Sequence, residues 1–324
     1  MIIWGATGGS HDASLSVHNF GVRGLSYTKK PWPLWARLAS EYSGMKGDNF
    51  ISPDMEKDAI DLFGYPDKIF WYENPPLKSI RQLRAGQGFI NNRPQKFSYA
   101  TAPITYTLHH QSHAAYGYYT QENPECAVLV IDSIGEFDTI SIWKGTKEWT
   151  LKKVYSQGYP HSLGLFYSAM TQRMGLIPQQ DEYKIAEIRD TDKTKGGKLL
   201  EHMLDDIFEL QNRKPFVKLK TNLHRGCRSW KEDDGFTKEQ FASCTQYLFE
   251  AAIEHLSYHT QRLTGANDLA ITGGCAMNKR SIDKIRKQWY NVHVPQYPGD
   301  PGSAIGAVLW HYRKPVSIDG VWGN

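Results

Sequence analysis

Three observations predict an α/β fold of two related lobes with a nucleotide cleft between them. At 324 residues the chain exceeds the size at which one hydrophobic core usually stops growing, so two closely packed lobes are expected. Two strand meanders, at 2–27 and 126–155, are each followed by helices, which suggests a duplicated architecture. Three strand-to-turn junctions end in small or acidic residues: His11-Asp12-Ala13-Ser14, Asp132-Ser133-Ile134-Gly135-Glu136 and Gly273-Gly274-Cys275-Ala276-Met277-Asn278. Glycine lets backbone amides approach phosphate oxygens, and the helix after the last junction would turn its positive end toward a ligand. A single Gly-Gly turn is usually only a turn; the cleft is read from the three junctions together.

Residues 2–6, 13–17 and 22–27 read as strands, separated by turns at Gly8-Gly9-Ser10 and Asn19-Phe20-Gly21. A polar helix near 53–63 leads to an aromatic strand at 68–72, and a histidine-bearing helix spans 107–119. The second meander runs through 126–131, 137–143 and 151–155. Helices dominate the second half of the chain, at 163–174, 197–210 and 238–263; in the last, Phe241, Leu248, Ala252 and Leu256 recur at helical spacing. A short apolar strand at 268–272 opens into the Gly273-Gly274 turn, and two more helices are expected at 280–287 and 302–311. The run 190–197 has no apolar residue to anchor it and ends in two glycines, so a loop is expected. The elements divide into a first lobe, 1–120, and a second, 121–324.

Composition is that of an ordinary globular protein, and no apolar run is long enough to span a bilayer. The start, Met1-Ile2-Ile3-Trp4-Gly5-Ala6-Thr7, has no basic segment ahead of a long apolar one; it reads as a first strand, and a cytoplasmic location is expected. Four cysteines without a CxxC pair argue against a zinc ribbon or a disulfide framework. Cys275 has no visible neighbouring base and reads as a small buried residue, not a nucleophile. A net charge of +4 does not imply nucleic acid by itself. Between 212 and 231, however, lie Arg213, Lys214, Lys218, Lys220, Arg225, Arg228 and Lys231 with no acid among them. That run reads as a solvated face, or as a surface for a phosphate-bearing substrate or nucleic acid.

His109 and His113 are four residues apart and share one helix face, so both imidazoles can reach one metal ion, with Asp132 and Asp300 completing a mixed nitrogen and oxygen shell. His110 points elsewhere. Such a donor set suits iron, manganese, zinc or nickel without choosing among them. For the histidine pair alone, plain hydrogen bonding on a helix is the competing reading. His255 and His259 repeat the spacing without a carboxylate-bearing turn, so packing accounts for them.

Seven blocks succeed one another in a specific order. They are Gly9-Ser10-His11-Asp12-Ala13-Ser14, His109-His110-Gln111-Ser112-His113-Ala114-Ala115, Ile131-Asp132-Ser133-Ile134-Gly135-Glu136, Ser162-Leu163-Gly164-Leu165-Phe166-Tyr167, Asp181-Glu182-Tyr183-Lys184, Gly273-Gly274-Cys275-Ala276-Met277-Asn278 and Asp300-Pro301-Gly302-Ser303-Ala304-Ile305-Gly306-Ala307. Together they resemble the motifs of O-carbamoyltransferases of the nodulation and antibiotic-tailoring type, from about residue 2 to residue 310. The resemblance implies the actin, heat-shock-chaperone and sugar-kinase (ASKHA) fold, close to the tRNA threonylcarbamoyl-transferase subunit. It also implies a carbamoyl-adenylate in the interlobe cleft beside a divalent metal, iron(II) foremost with manganese(II) or zinc(II) as alternatives, and transfer of the carbamoyl group to an acceptor hydroxyl.

By match to the motifs, His109, His113, Asp132 and Asp300 are the metal ligands, and His11, with Asp12 beside it, stands at the reaction centre. Ser133, Gly135, Ser162, Gly164, Gly273, Gly274 and Asn278 would hold the adenylate. His11 would polarise the carbonyl or take a proton from the acceptor; a satisfied turn histidine is the structural alternative. Glu182 and Lys184 read equally well as a structural ion pair.

Two departures qualify the match. Where the family has an acidic triplet with arginine after the first meander, this sequence has Leu25-Ser26-Tyr27-Thr28-Lys29-Lys30, and only Lys30 keeps a catalytic position. Full-length relatives also carry a C-terminal domain that makes carbamoyl-adenylate from carbamoyl phosphate and ATP, for which a sequence ending at Asn324 leaves no room. A separate carbamoyl-adenylating protein is therefore the expected partner. A compact form of this kind fits a small genome such as a phage, and the basic run fits a hydroxymethylated nucleotide or nucleic-acid acceptor. The alternatives are threonylcarbamoyl transfer to tRNA and a non-catalytic nucleotide-binding scaffold; the Ser-Leu-Gly and Asp-Glu-Tyr-Lys blocks favour the simple carbamoyl branch, and the intact metal set argues against a scaffold.

Overall fold

The strand β1 (Ile2–Thr7) is almost wholly buried, and Ile3, Trp4 and Ala6 enter the core from it. A strand covered on both faces is a natural centre for a sheet, and in the computed structural model, which describes residues 1–20, 33–188 and 193–323, it is one. The chain continues through β2 (Ser14–Asn19), β3 (Pro33–Leu38), α1 (Ala39–Ser43), α2 (Pro53–Phe63), β4 (Lys68–Trp71), α3 (Pro75–Arg84) and β5 (Ile104–Tyr106). Helix α4 (His109–Tyr119) then leads to β6 (Ala127–Ile131), β7 (Asp138–Gly145), β8 (Leu151–Gly158), α5 (Leu163–Arg173), α6 (Glu182–Glu187), α7 (Lys193–Asp206) and the hairpin β9 (Phe208–Gln211) and β10 (Phe216–Leu219). Last come α8 (Lys238–Thr264), β11 (Asp268–Thr272), α9 (Lys279–Ile285), β12 (Asn291–His293) and α10 (Asp300–Tyr312).

The duplication is a matter of topology. One sheet has the order β3-β2-β1-β4-β5 and the other β8-β7-β6-β11-β12. In each, three successive strands form an antiparallel meander, and the first of them pairs in parallel with a later strand that pairs in parallel with the last. Two copies of this mixed five-stranded unit are the ASKHA arrangement. Each sheet has its own core, one around Trp4, Leu15, Met55 and Trp71 and one around Leu129, Phe166, Phe249 and Ile271. Tyr116, Val130 and Ile305 belong to a third cluster where α4 and α10 meet the second sheet.

Helix α10 returns from the second sheet to lie on β1 and α4. Small residues make that possible: a methyl group added at Gly5 would overlap the Ala304 carbonyl, and one at Gly306 would overlap that of Ser112. Caps fix the other helix starts, with Ser52 accepting from Met55 N–H at 3.2 Å, Asn74 from Leu77 N–H at 3.1 Å, and a proline immediately after each cap. Thr237 and Gln240 form a reciprocal box at the start of α8, which ends on Gly265 at φ 68°.

Several expectations change. The helix α7 starts at Lys193, inside the run expected to be a loop, and stops at Asp206, because Phe208–Gln211 pairs with Phe216–Leu219 as a hairpin. The third strand of the first sheet is Pro33–Leu38; the expected strand at 22–27 lies outside the described residues, and so does Lys30. Lys184 pairs with Asp181 at 2.9 Å, not with Glu182, which accepts from the Ser168 hydroxyl at 2.9 Å. No helix among the described residues is long and apolar enough to cross a membrane.

Candidate metal centre and cleft

Helix α4 presents His109 and His113 on one face, as the i,i+4 spacing requires, and both are buried. Its first turn is held by Glu136, whose carboxylate accepts the His109 N–H at 3.1 Å and the Asn74 N–H at 2.6 Å. An anion at a helix N-terminus satisfies backbone donors that have no partner within the helix. Asp132 comes from the turn after β6, and Asp300 is the first residue of α10, where its charge again faces a helix N-terminus.

These four residues converge: their ligand atoms all lie within 4.8 Å of one another, and all four side chains are buried. His109 Nε2 is 2.8 Å from Asp132 Oδ2 and 3.5 Å from Asp300 Oδ1. His113 Nε2 is 3.1 Å from His109 Nε2, 3.3 Å from Asp300 Oδ1 and 4.0 Å from Asp132 Oδ2. Donors bound at roughly 2.1 Å around one ion stand about 3.0–3.4 Å apart, so the set fits a metal shell of nitrogen and oxygen. Two imidazole nitrogens facing each other at 3.1 Å have no other reason to meet without a shared proton or ion. The His113 ring is fixed by Ser303, whose hydroxyl is 3.0 Å from Nδ1, leaving Nε2 for the cluster. Asp132 is fixed by the Gly274 N–H, which donates to Oδ1 at 3.0 Å.

The electrostatics are strong. Burial opposes charge on Asp300, but His109, His113 and His11 outweigh it and hold the carboxyl at about 2. Burial likewise disfavours charged His109, yet Asp300 and Asp132 push it up to about 10. Asp132 is held well below the usual carboxylate range by His109 and His113, again against burial. A set that attracts positive charge this firmly is suited to a cation.

Above the cluster opens a cleft of about 540 Å³, lined by residues of both lobes, among them His11, Tyr72, His109, Asp132, Ser133 and Asp300. His11 Nδ1 is 3.0 Å from Asp12 Oδ2, and its Nε2 is 3.9 Å from Asp300 Oδ2. Asp12 takes φ 49°, a left-handed conformation that turns its carboxylate back onto the ring. Burial lowers His11, but Asp12, Asp300 and Asp132 raise it to about 9.

The other motif residues divide by position. Ser133 lines the cleft. Ser162 caps α5 and donates to the Ser133 carbonyl at 2.6 Å, while a methyl at Gly164 would press on Ser133 itself, so both hold the Asp132-Ser133 turn against α5. Gly135 packs under His109 and His110, and Gly273, at φ 91°, packs against Ile131. Asn278 caps α9 and donates to Gln246 at 2.9 Å. His110 turns away to Ser141 at 2.8 Å. Burial pushes the Cys275 thiol well above its ordinary range, which disfavours the reactive thiolate. His255 bonds the Lys214 carbonyl at 2.9 Å and takes no part in a metal cluster among the described residues.

Tyr72, Glu136 and Ser303 belong to the site and were not singled out from sequence. Tyr72 meets Ser10 Oγ at 2.9 Å and packs beside His109 with ring centroids 5.2 Å apart. Ser303 lies three positions beyond Asp300, one helical turn; that spacing is the signal that could have revealed it.

Comparison with known proteins agrees with this architecture. The model of the carbamoyltransferase N-terminus family matches residues 91–309. An uncharacterized protein of Synechocystis sp. is 28% identical over 252 residues, covering 67% of this chain and 40% of that protein. The nodulation protein NolNO of Sinorhizobium fredii is 24% identical over 213 residues, covering 64% of this chain and 31% of that protein. The chain thus spans less than half the length of these curated relatives. Among solved structures, full-length HypF in its phosphate- and nucleotide-bound form superposes with a TM-score of 0.50 at 14% identity, covering 99% of this chain and 56% of that one. A cluster of two histidines and two aspartates set between duplicated sheets, inside a segment matched along most of its length, places the chain in the carbamoyltransferase N-terminal family.

Proposed function

We propose that the chain transfers a carbamoyl group from carbamoyl-adenylate to an acceptor hydroxyl. The observation that carries this reading is the convergence of His109, His113, Asp132 and Asp300 at the floor of a cleft with His11 on its wall. A divalent ion held by those four residues, iron(II) in our reading, would supply Lewis acidity toward a carbonyl or phosphate oxygen.

The chain's own groups account for the rest. His11, oriented by Asp12 at 3.0 Å, is placed to donate a hydrogen bond to the oxygen on which charge develops. Asp12 orients the ring so that Nε2 faces Asp300 and the cleft. In the transfer the acceptor oxygen bonds to the carbonyl carbon, the bond from that carbon to the phosphate oxygen breaks, AMP leaves with the electron pair, and the acceptor proton passes to solvent. Tyr72, with its pKa raised by burial, stays a neutral hydroxyl beside Ser10 and His109.

The basic run 212–231 supports a phosphate-bearing acceptor only in part. Lys218 pairs with Glu209, and Lys220 donates to carbonyls at the end of α7, whereas Arg225 opens onto the cleft. Mass spectrometry of a reaction with iron(II), carbamoyl phosphate, ATP and a panel of hydroxyl acceptors, run with and without a separate carbamoyl-adenylating protein, tests the proposal. A mass gain of one carbamoyl group on an acceptor, dependent on a supply of carbamoyl-adenylate, is the expected result. Nucleotide binding without transfer in either reaction would favour a scaffold.

A further inference from the structure

Arg81 is the cleft residue to which the transfer chemistry gives no task. It sits on α3, 7% exposed, lines the cleft, and among the described residues its Nε has no hydrogen-bond partner. Glu73, whose charge acts on it most, is engaged by Lys78 at 2.9 Å. A buried guanidinium without a carboxylate against it is costly, and an anion brought from outside is its complement.

Across the cleft, the turn after Leu223 brings two more groups. Arg225 is exposed and lines the same space. His224 Nε2 accepts from the Gln87 amide at 2.9 Å, which leaves the ring proton on Nδ1, and that buried Nδ1 has no partner either. All three residues line the one cleft; burial lowers His224, and Arg81 and Arg225 lower it further, so the imidazole is a neutral donor. Two orphan N–H donors and two guanidinium charges call for a ligand rich in acceptor oxygens.

We propose that Arg81, His224 and Arg225 form an anion subsite for a phosphate group carried by the acceptor, which makes the acceptor a phosphate ester such as a nucleotide or a sugar phosphate. This rests on the transferase reading. In a carbamoyl-phosphate anhydride the carbonyl carbon and the phosphorus share one bridging oxygen, so the donor's phosphate lies beside His11 and the His-Asp cluster. Among the described residues, the cluster carboxylates Asp132 and Asp300 pair with His11, His109 and His113, and neither Arg81 nor Arg225 pairs with them. In this proposal Arg81 serves a stretch of the cleft away from the donor, where it holds the far end of the molecule whose hydroxyl meets the carbonyl.

The test is a calorimetric titration of the full chain with inorganic phosphate, for the wild type, R81Q and R225Q, with and without saturating 5′-O-sulfamoyladenosine as a donor mimic that lacks the phosphate. The wild type is expected to bind phosphate with the mimic present, and each variant to bind at least about tenfold more weakly. Arg225 is exposed, so weakening in R225Q does not come from a lost fold. Displacement of phosphate by the mimic would assign the anion to the donor and overturn the acceptor subsite; equal affinity in all three proteins, or no binding by the wild type, would overturn the subsite altogether. Because binding is the readout, arginine-dependent phosphate binding in a protein that transfers no carbamoyl group would keep the subsite and sink the transferase reading. Transfer without such binding would do the reverse.

Discussion

At the scale of residues, the His-Asp cluster depends on groups outside it. Ser303 donates to or accepts from His113 Nδ1 at 3.0 Å in a fully buried setting, and so chooses which ring nitrogen faces Asp300. Replacing Ser303 with alanine should lower zinc(II) affinity by about 10–100-fold, while S303T should keep most of it. Competition against a colorimetric chelator would measure this, and unchanged affinity in S303A would show that the hydrogen bond has no part in binding. A second residue carries a pH signature unrelated to the site. His18 is buried, bonded to Ser16 at 3.0 Å, and pushed by burial down to about 3. Its unfolded value is near 6.5, so below that pH the unfolded chain binds the extra proton. The contribution of neutral His18 is complete above pH 6.5 and is lost as pH falls from there toward 3, which amounts to ~2 kcal/mol by pH 5. Urea unfolding at pH 7 and pH 5 should show that loss in the wild type and a smaller one in H18Q; parallel losses would remove His18 as the cause.

At the scale of elements, α4 and α10 form the frame of the site, since α4 carries both histidines and α10 begins with Asp300. Their approach is set by glycine. A methyl at Gly306 would overlap the Ser112 carbonyl, and one at Gly302 the Tyr116 ring. Neither backbone nor ring is free to move, because Ser112 donates to the Tyr72 carbonyl at 2.9 Å and Tyr116 is buried. The substitution G306A should therefore destabilise the protein by ~3 kcal/mol or more and weaken metal binding by shifting Asp300. Denaturant midpoints and metal titration would check both, and a cost under ~1 kcal/mol would mean the helices can separate without harm. The same elements explain what periodicity missed. In α7 and the β9–β10 hairpin, tertiary packing of Leu199, Met203, Phe208 and Val217 against the second core decides the structure. A window of lysines and glycines at 193–197 gives no local sign of that.

For the whole molecule, the candidate metal centre joins parts that the chain order keeps far apart. Asp132 belongs to the second sheet, whereas Asp300 stands on the helix packed over β1 of the first, with α4 between them. Binding should consequently stabilise both lobes together. Saturation at about 100 times the dissociation constant adds about 2.7 kcal/mol, read as a rise in Tm that a chelator reverses. The D132N variant should lose most of that rise, and a rise of equal size in D132N would place the ion elsewhere. The cleft itself is an interlobe feature, with His11 and Tyr72 on one wall and Ser133 and Leu165 on the other.

Sequence by itself determined the second meander and the first two strands of the first, the helix that carries His109 and His113, and the four members of the His-Asp cluster. Each of these depends on local periodicity or on motif order, and both are written along the chain. It also reached the lobe fold through the order of seven blocks, although the edge strand Pro33–Leu38 and the helix Pro75–Arg84 gave no periodic signal strong enough to place. Only the tertiary structure decided that Ser162 and Gly164 pack against the Asp132-Ser133 turn and Gly273 against Ile131, that Ser303 and Glu136 hold the histidines, and that among the described residues Arg81 and His224 line one cleft with an orphan N–H each. These depend on contacts between residues up to 190 positions apart, as His113 and Ser303 are, and hydrogen bonds across such distances leave no period in the sequence.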